Sequence, residues 1–579
     1  MIARIALSLA LASGLAACAA TPAPPVATAP VETTAPATNL LASRYARGVV
    51  SAADPRAAEA GARMLRKGGT ATDAAIATMI ALTVVEPQSS GIGGGGFYMR
   101  HDGRSGEIET LDGRERAPAG ATPEWFLGPE GKPLGYMEAV LSGLSAGVPG
   151  NIALAAEAHR QHGRLAWAEL FAPAIELARD GWTLSERGRD YLERFRDRAA
   201  HDAAGKALYF DAAGAPLAVG TRLTNPALAA TLERIARGGP SAFYSGPFAN
   251  ELAAKVRAAT PRAGGMTAAD VTGYTVTPRE PVCGMYRAYR ICGMGPPSSG
   301  ATTVIAILGQ LERFDIASLG ADNPVAWHLF AESQRLAYAD REVFLADPDF
   351  IAVPTVELLE PDYLARRGAL ISPDRRMQTV EPGLAQPWPD GMEPPEAGTS
   401  HLVAVDRAGN TVTYTSTIEG PFGSGLMVGG FYLNNELTDF SFTAVEGGHP
   451  VANRVQGGKR PRSSMAPTLV YDADGKLVFA IGAAGGATIP VQVARAIMGY
   501  IDWDLTAEEA LALPMVFSPG DGIALEETAQ GMALRPALEA LGHSVTLRRL
   551  PTKTNAVALT PDQLYGAADP RSEGAAIAQ

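Results

Sequence analysis

The clearest pattern of hydrophobic and polar positions predicts a β-hairpin over residues 402–417. An apolar, partly β-branched run comes first, a turn rich in Asp, Gly and Asn follows, and a run that alternates β-branched and aromatic residues completes the hairpin. If residue 405 pairs with residue 411, Thr399 lies directly opposite Thr417. A β-bulge would shift this pairing by one residue.

Two helices are predicted well before this hairpin. Asp54 and Pro55 begin the first helix, which ends at Gly68-Gly69, and the sequence at residues 70–73 begins a second, apolar helix that runs to about Val85. Both predictions follow from the capping residues, because Pro is tolerated in the first turn and Gly terminates a helix.

A glycine run follows the second helix, and it allows two interpretations. Gly91-Ile92-Gly93-Gly94-Gly95-Gly96 satisfies the G-x-G-x-x-G pattern of dinucleotide-binding proteins, but in those sites the glycines begin a helix directly after a strand. Here a helix comes before the run, and a second predicted hairpin at residues 97–111 comes after it. We therefore reject a nucleotide site and predict that the glycines allow backbones to pack closely at the floor of another site.

Thr399 itself is a candidate nucleophile. A threonine hydroxyl needs a base to take its proton, and the α-amine of the same residue supplies one if the chain is cut just before it. Gly398 gives that bond backbone freedom, and the proline-rich residues before it disfavour helix and central strand. Because Gly398-Thr399-Ser400 in isolation is typical of a plain loop that enters a strand, other motifs have to decide between the two interpretations.

Such motifs occur along most of the chain. They are PQ at 87–88, GGGGF at 93–97, DGRERAP at 112–118, PPSSG at 296–300, FGSG at 422–425, NNELTDF at 434–440, KRPRSSMAPT at 459–468 and GG at 485–486. In this order the motifs resemble the γ-glutamyltransferase family of N-terminal-nucleophile hydrolases. The resemblance extends from about Tyr45 to near the C-terminus.

The resemblance implies the fold class and the subunit organisation. The expected fold is α+β, a four-layer αββα sandwich made as one precursor. Cleavage between Gly398 and Thr399 is expected to give a large subunit of residues 45–398 and a small subunit of residues 399–579. The two pieces would remain together as a heterodimer.

The resemblance also implies a catalytic set. Thr399 would be the nucleophile and its α-amine the base, Thr417 would orient the nucleophile, and the backbone N–H groups of Gly485 and Gly486 would face a developing oxyanion. The local pattern alone gives this last role weaker support. It predicts a strand, a glycine loop over residues 482–486 and a helix over residues 490–500, which is a common arrangement.

Substrate-binding residues follow from the same motifs. The guanidinium of Arg114 would hold the α-carboxylate of a glutamyl donor with two hydrogen bonds, although a lone Arg between acids is usually a surface ion pair. Glu436 and Asp439 would bind the α-amine. Ser463 and Ser464 would offer hydroxyls to the carboxylate, and their alternative interpretation is a capped turn.

The implied partners are small molecules. Donors would be glutathione and other γ-glutamyl amides, and acceptors would be water, amino acids or peptides. We expect no cofactor and no metal. His159 and His162 are the nearest approach to a metal-ligand spacing, and we predict a solvated helix end there instead.

Two positions depart from the family pattern. Glu419 stands two residues after the second threonine, where well-known members carry Asn, and we assign it to the substrate site. The segment at residues 441–458, which corresponds to a lid, lacks the tyrosine that shields the pocket in several relatives. The first departure bears on the choice of donor, and the second on the acceptor.

The N-terminus predicts export. A charged start and an apolar run over residues 5–17 suit a signal peptide of residues 1–17, and Leu15-Ala16-Ala17-Cys18 resembles a bacterial lipobox, in which Cys18 carries lipid. Residues 18–44, rich in Ala, Pro and Thr, would form a disordered tether. The expected location is the periplasmic side of the cell envelope, with a lipid anchor as the sole membrane contact. An ordinary cleaved signal with an incidental cysteine is the alternative.

Composition narrows the remaining choices. The chain has 579 residues, 46% of them hydrophobic and 19% charged, as expected for a large globular protein. A net charge of −12 without basic clusters argues against nucleic acid as a partner. Cys283 and Cys292 flank a predicted two-residue turn that places them opposite each other, either as a disulfide or as two reduced strand cysteines.

Two alternative functions stay open. A cephalosporin-acylase-like enzyme would use the same machinery on glutaryl amides, and the acidic residues around the α-amine are the feature that distinguishes it. A non-enzymatic binding lipoprotein of the envelope would require loss of the nucleophile or of the oxyanion donors.

Overall fold

The computed structural model describes residues 42–44, 47–385, 387–392, 394 and 398–579. The signal peptide, the lipobox with Cys18, and the tether up to residue 41 lie outside the described residues.

The strands, numbered along the described chain, are β1 (Ala42–Arg44), β2 (Val49–Ala52), β3 (Gly95–His101), β4 (Ile108–Gly113), β5 (Trp182–Thr183), β6 (Arg222–Leu223), β7 (Thr277–Arg279), β8 (Val282–Tyr286), β9 (Tyr289–Gly293), β10 (Ser400–Val405), β11 (Thr411–Thr417), β12 (Met427–Val428), β13 (Phe431–Tyr432), β14 (Val445–Glu446), β15 (His449–Pro450), β16 (Thr468–Tyr471), β17 (Leu477–Ala484), β18 (Val516–Phe517), β19 (Gly522–Glu526), β20 (Ser544–Arg548), β21 (Lys553–Leu559), β22 (Gln563–Ala568) and β23 (Ala575–Ala578).

The helices are α1 (Pro55–Arg66), α2 (Ala71–Val85), α3 (Tyr136–Val140), α4 (Asn151–His162), α5 (Trp167–Asp180), α6 (Glu186–Arg194), α7 (Arg196–Ala199), α8 (Ala203–Tyr209), α9 (Pro226–Gly238), α10 (Ser241–Tyr244), α11 (Gly246–Ala258), α12 (Ala268–Thr272), α13 (Gly300–Leu311), α14 (Ile316–Leu319), α15 (Pro324–Phe344), α16 (Thr355–Leu358), α17 (Pro361–Gly368), α18 (Ile489–Asp502), α19 (Ala507–Ala512) and α20 (Ala529–Ala540). Short 3₁₀ turns cover Glu436–Asp439 and Gly486–Thr488.

Two seven-stranded sheets organise the molecule. The first has the strand order β23-β2-β10-β11-β3-β4-β7, and the second has the order β1-β22-β21-β17-β16-β9-β8. All neighbouring strands in both sheets are antiparallel. Each sheet contains strands from before and after residue 399, so the two parts of the chain are interleaved.

Side-chain alternation along β10 shows how the layers stack. Leu402 and Ala404 pack into the core beneath α1 and α2, whereas Val403 and Val405 point the other way and pack against residues of the second sheet. On the far side of the second sheet, α18 packs against β17, and α13 packs against β8 and β9. The order is helices, sheet, sheet, helices, which confirms the predicted α+β fold with four αββα layers.

The two N-terminal helices form where their capping residues predict. The Asp54 side chain accepts a hydrogen bond from the Arg56 backbone at 2.8 Å, and Thr70 with Asp73 forms a reciprocal capping box. Helix α2 is buried along its whole length because α1, α4, α5 and the first sheet surround it. Among the described residues, no helix is long and apolar enough to span a bilayer.

The hairpin register is also confirmed. Val405 pairs with Thr411 and Ser400 with Ser416, without a bulge, so Thr399 lies one residue before β10 and faces Thr417. The cysteine hairpin has the predicted pairing as well. Cys283 and Cys292 are directly opposed and joined by a disulfide, which decides between the two interpretations.

One local prediction is wrong, and another is confirmed only in part. The glycine loop is shorter than predicted, because residues 482–484 continue β17 and pair with residues 553–555 of β21. Helix α4 ends at His162, as predicted, but the two histidine side chains are only 19% and 17% exposed. His159 lies 2.9 Å from the carbonyl oxygen of Leu165, just beyond α4, and His162 contacts Glu109 of β4.

Candidate functional site

Thr399 and Thr417 meet at the entrance to the central hairpin. The hydroxyl of Thr399 donates to Oγ1 of Thr417 over 3.0 Å, and the same Thr417 oxygen accepts the backbone N–H of Glu419 at 2.8 Å. Thr399 is 5% exposed. The structure thus places the predicted nucleophile and its predicted orienting residue in direct contact.

The backbone at the predicted cleavage site is unusual. Gly398 has φ 103° and Thr399 has φ 82°, which is a rare conformation for a β-branched residue. A Cβ atom on Gly398 would stand 1.8 Å from the carbonyl oxygen of Glu419. Only glycine fits this position, for reasons of both conformation and space.

A backbone donor is aimed at the bond predicted to be cut. The N–H of Gly485 donates to the carbonyl oxygen of Gly398 over 3.1 Å, at the start of the turn that leads into α18. Such a donor stabilises negative charge that develops on that oxygen. Gly485 has φ 131°, so a glycine is needed to turn the N–H in this direction.

The pocket beside Thr399 collects most of the predicted site. It is lined by Arg114, Thr399, Thr417, Glu419, Glu436, Asp439, Ser463, Met465, Gly486 and Ile489. Of the predicted catalytic and substrate-binding residues, only Gly485 and Ser464 are missing from this lining. Met465 and Ile489 are the apolar members that sequence reasoning did not assign.

Arg114 lies at the centre of the charged part of this pocket. Its guanidinium contacts Glu436, pairs with Asp439 Oδ2 at 2.5 Å, and donates to the carbonyls of Pro461 and Arg462 at 3.1 and 2.7 Å. Burial alone would lower the pKa of Arg114, but the two carboxylates hold it above its ordinary value. The group expected to bind a substrate carboxylate is therefore bonded to the acids expected to bind the α-amine.

Burial is the largest influence on the pKa values of two acids around Arg114. It raises the pKa of Glu436 well above the usual range, against the opposing charge of Arg114. It also raises the pKa of the neighbouring Glu115 to about 7. Glu115 is fully buried, and the absence of a Cβ at Gly95 gives its carboxyl room. Sequence reasoning placed Glu115 in a motif but did not assign it to the site.

Glu419 points into the pocket and not into solvent. It is 3% exposed, has φ 67°, and its carboxylate accepts a hydrogen bond from the Asn435 side-chain amide. The carbonyl oxygen of that same amide accepts the Gly420 N–H at 2.9 Å, so Asn435 fixes the loop that carries Glu419. Asn435 was not predicted as a site residue, although it precedes Glu436 in the motif.

The two serines differ in position. Ser463 lines the pocket, and its hydroxyl oxygen accepts the Met465 N–H at 3.1 Å. Ser464 lies behind it, and its hydroxyl oxygen accepts a hydrogen bond from Arg341 at 2.6 Å. An accepting hydroxyl keeps its own proton for donation, so Ser463 is suited to bind an anion in the pocket, whereas Ser464 does not line it.

The close backbone packing predicted for the glycine run is confirmed next to Thr417. A Cβ on Gly94 would stand 1.9 Å from the carbonyl oxygen of Thr417, and one on Gly93 would stand 2.0 Å from that of Tyr432. Strand β11 and the segment after it can approach this closely only because side chains are absent. Within the described part of the chain, no cluster of His, Cys, Asp and Glu is suited to a metal.

Threonine nucleophiles at the entrance to a central strand of an αββα sandwich mark the N-terminal-nucleophile hydrolases, and this chain has the fold of that class. The sequence profile of the gamma-glutamyltranspeptidase family matches residues 57–579. The chain belongs to that family.

Similar proteins carry two kinds of name. The glutathione hydrolase proenzyme of Bacillus subtilis strain 168 is 40% identical over 489 residues, which cover 81% of this chain and 80% of that protein. The acylase ACY 1 proenzyme of Pseudomonas sp. strain SE83 is 36% identical over 548 residues, with 92% and 93% covered. The crystal structure of cephalosporin acylase from Bacillus halodurans superimposes with a TM-score of 0.80 at 25% identity, over 95% of this chain and 99% of that one.

Proposed function

We propose that this chain is a γ-glutamyltransferase with glutathione hydrolase activity, which acts through a glutamyl ester on Thr399. The observation that carries the proposal is the composition of the pocket. One guanidinium and three acidic side chains lie beside the threonine, in Arg114, Glu419, Glu436 and Asp439. This set suits a donor that carries both an α-carboxylate and an α-ammonium group.

The first chemical step in the proposal is self-cleavage. The Thr399 hydroxyl attacks the carbonyl carbon of Gly398, and the Gly485 N–H stabilises the negative charge on its oxygen. The C–N bond breaks, the Thr399 nitrogen takes up the hydroxyl proton, and an ester joins Gly398 to the Thr399 oxygen. Water then hydrolyses this ester and leaves a free α-amine on Thr399.

Turnover repeats this chemistry on a substrate. The α-amine of Thr399 takes the proton of its own hydroxyl, the oxygen attacks the γ-carbonyl of the donor, and the proton passes to the departing amine. Water releases glutamate from the resulting ester. An amino acid or peptide acceptor instead gives a new γ-glutamyl amide.

The test is the mass of the purified protein together with its activity. Wild type and Thr399→Ser, which keeps a hydroxyl, are expected as two fragments that hydrolyse a γ-glutamyl anilide. Thr399→Ala is expected as one inactive chain. Activity of wild type as a single intact chain would contradict the proposal.

A second candidate, hydrolysis of glutaryl amides, is favoured by the names of the acylase relatives. The acids of the pocket argue against it, because a glutaryl group lacks the ammonium through which a γ-glutamyl donor would add contacts to them. The third candidate, a binding lipoprotein, has less support, because the site retains both the hydroxyl of Thr399 and the Gly485 donor.

We also propose that the protein is exported and anchored by lipid on Cys18, at the periplasmic side of the envelope. The support is the sequence Leu15-Ala16-Ala17-Cys18 after an apolar run. Cys18→Ser is expected to move the protein from the membrane fraction to the soluble fraction. Equal membrane association of the two proteins would contradict lipid anchoring.

A further inference from the structure

A buried ion pair lies directly behind the nucleophile. Nζ of Lys553 is 2.8 Å from Oε2 of Glu86, and the two side chains are 4% and 2% exposed. The ammonium also lies 3.2 Å from the hydroxyl of Ser89 and 3.3 Å from that of Ser400. The Ser400 hydroxyl donates to the same Glu86 oxygen at 2.5 Å, so the four side chains form one closed network.

Each partner of the ammonium belongs to a segment that holds Thr399. Ser400 is the next residue in the chain. The carbonyl oxygen of Ser89 accepts the Thr399 N–H at 3.1 Å and the N–H of Ile418 at 3.3 Å, and thereby ties together the two sides of the hairpin entrance. Lys553 thus fixes both the hydroxyl beside Thr399 and the residue whose carbonyl faces the nitrogen of Thr399.

The backbone of Lys553 is linked to the other side of the site. Lys553 pairs with Ala484 in the second sheet, immediately before the Gly485 donor. Its N–H donates to the side chain of Gln492 at 3.1 Å, and Gln492 donates back to the Ala484 carbonyl at 2.8 Å. One residue therefore connects the segment around the Thr399 nitrogen with the strand that presents the oxyanion donor.

Stability alone does not account for this pair. Removing two charges from water costs more than most buried pairs regain, and well-packed apolar side chains often do as well. Burial lowers the pKa of Lys553 to about 8, while Glu86 and the more distant Asp54 raise it and Arg187 lowers it further. Arg187 approaches the second Glu86 oxygen at 4.0 Å. The buried charge of Lys553 is better explained by the groups that it holds in position.

We propose that Lys553, held by Glu86, is a positioning residue for the α-amine of Thr399. This inference rests on the proposed function, because that amine exists only after cleavage at residue 399. The network fixes the Ser89 carbonyl so that it takes one N–H of the amine, which leaves the nitrogen lone pair to face the Thr399 hydroxyl. The positive charge of Lys553 also disfavours protonation of the Thr399 amine, so the amine remains available as a base.

The test uses three variants of the full chain, each first checked for folding and for cleavage. Lys553→Met removes the charge and keeps the length, Lys553→Arg keeps the charge, and Glu86→Gln with Lys553→Met removes both charges. We expect cleaved Lys553→Met to lose at least tenfold in kcat with KM changed less than twofold, because the pocket around Arg114 is untouched. Lys553→Arg is expected to recover most of the loss.

The pH profile separates positioning from general stability. Loss of the lysine charge raises the pKa of the amine, so the acid limb of the kcat profile is expected at higher pH in Lys553→Met. In the double variant the acid limb is expected to return to its wild-type pH, because the net charge of the pair is again zero. Its kcat is expected to stay low, because Lys553 no longer holds Ser89. The matched control is Glu332→Gln with Arg335→Met, another buried pair at 2.9 Å, within α15, which is expected to change thermal stability alone.

Three outcomes would overturn the inference. They are an unchanged kcat and pH profile in the cleaved double variant, a loss confined to KM, and a folded Lys553→Met chain that stays uncleaved, which would place the pair in precursor cleavage. Wild type that is active without cleavage would instead contradict the proposed function. The two failures are therefore distinguishable.

Discussion

At the scale of single residues, Gly398 offers the most direct test of the cleavage geometry. Gly398→Ala would force a side chain into a φ of 103° and against the Glu419 oxygen at 1.8 Å. The left-handed conformation costs about 1–2 kcal/mol and overpacking typically costs about 1–3 kcal/mol more. We expect a lower melting temperature and cleavage that is at least tenfold slower. The rate at which the two fragments appear measures the cleavage.

Gly220→Ala is the matched control for that change. Gly220 has φ 85° and open space where a Cβ atom would stand, so it shares the backbone strain without the steric overlap. The free energy of unfolding of this variant is expected to fall by about 1 kcal/mol, and its cleavage is expected at the wild-type rate. Equal behaviour of the two variants would mean that the close approach to Glu419 is unimportant for cleavage.

Glu115 gives a prediction about pH. Its folded-state pKa of about 7, raised by burial, lies above its ordinary value of 4.5. As pH rises from 4.5 to 7 the unfolded chain loses this proton first, so stability falls over that window. Glu115→Gln removes the ionisation. Its free energy of unfolding relative to wild type is therefore expected to rise, on the order of 1–3 kcal/mol, between pH 5 and pH 8.

Melting temperatures of both proteins across that pH range test the prediction. Glu124→Gln, which removes an exposed carboxylate a few residues away, is expected to show no such gain. A constant difference between Glu115→Gln and wild type would show that Glu115 is ionised in the folded protein throughout the range.

At the scale of elements, the sequence predicted the helix starts and the strand register that depend on neighbouring residues. The capping residues Asp54 and Thr70 give the starts of α1 and α2, and a turn of fixed length gives the register of β10 with β11. The length of β17 was not predictable, because its last residues, 482–484, are held in the sheet by β21, some seventy residues later.

The disulfide lies in the β8–β9 hairpin and provides the prediction at this scale. It joins cysteines nine residues apart, and closure of so short a loop contributes about 2–3 kcal/mol in the chain-entropy account. The double variant Cys283→Ser with Cys292→Ser is expected to lose about that much stability in denaturant unfolding while keeping its kcat. Strand β8 is at the edge of the second sheet, away from Thr399.

Wild type treated with a reductant is the control for the disulfide prediction, since it loses the crosslink without a substitution. It is expected to match the double variant in denaturant midpoint. A loss of activity in either protein without loss of stability would mean that the hairpin acts on the site.

At the scale of the whole molecule, the site is assembled from both parts of the chain. Arg114 comes from before residue 399, and Glu419, Glu436 and Asp439 come from after it. Motifs identified these residues, but no local pattern showed that Arg114 bonds the two acids. Lys553 and Glu86 were missed for the same reason, because 467 residues separate them and only the interleaved sheets bring them together.

The choice of donor is a property of this assembled charge set, and Glu419 is the residue that tests it. Three acidic side chains face one guanidinium in the pocket, so a γ-glutamyl donor gains contacts through its ammonium that a glutaryl donor lacks. A charge-assisted hydrogen bond contributes about 1.5–3 kcal/mol, which corresponds to roughly a tenfold to hundredfold preference in kcat/KM for γ-glutamyl over glutaryl anilides. Glu419→Gln is expected to narrow that preference, whereas Glu446→Gln, an exposed position on the β14–β15 hairpin, is expected to leave it unchanged. Faster hydrolysis of the glutaryl anilide by wild type would overturn the transferase assignment in favour of the acylase.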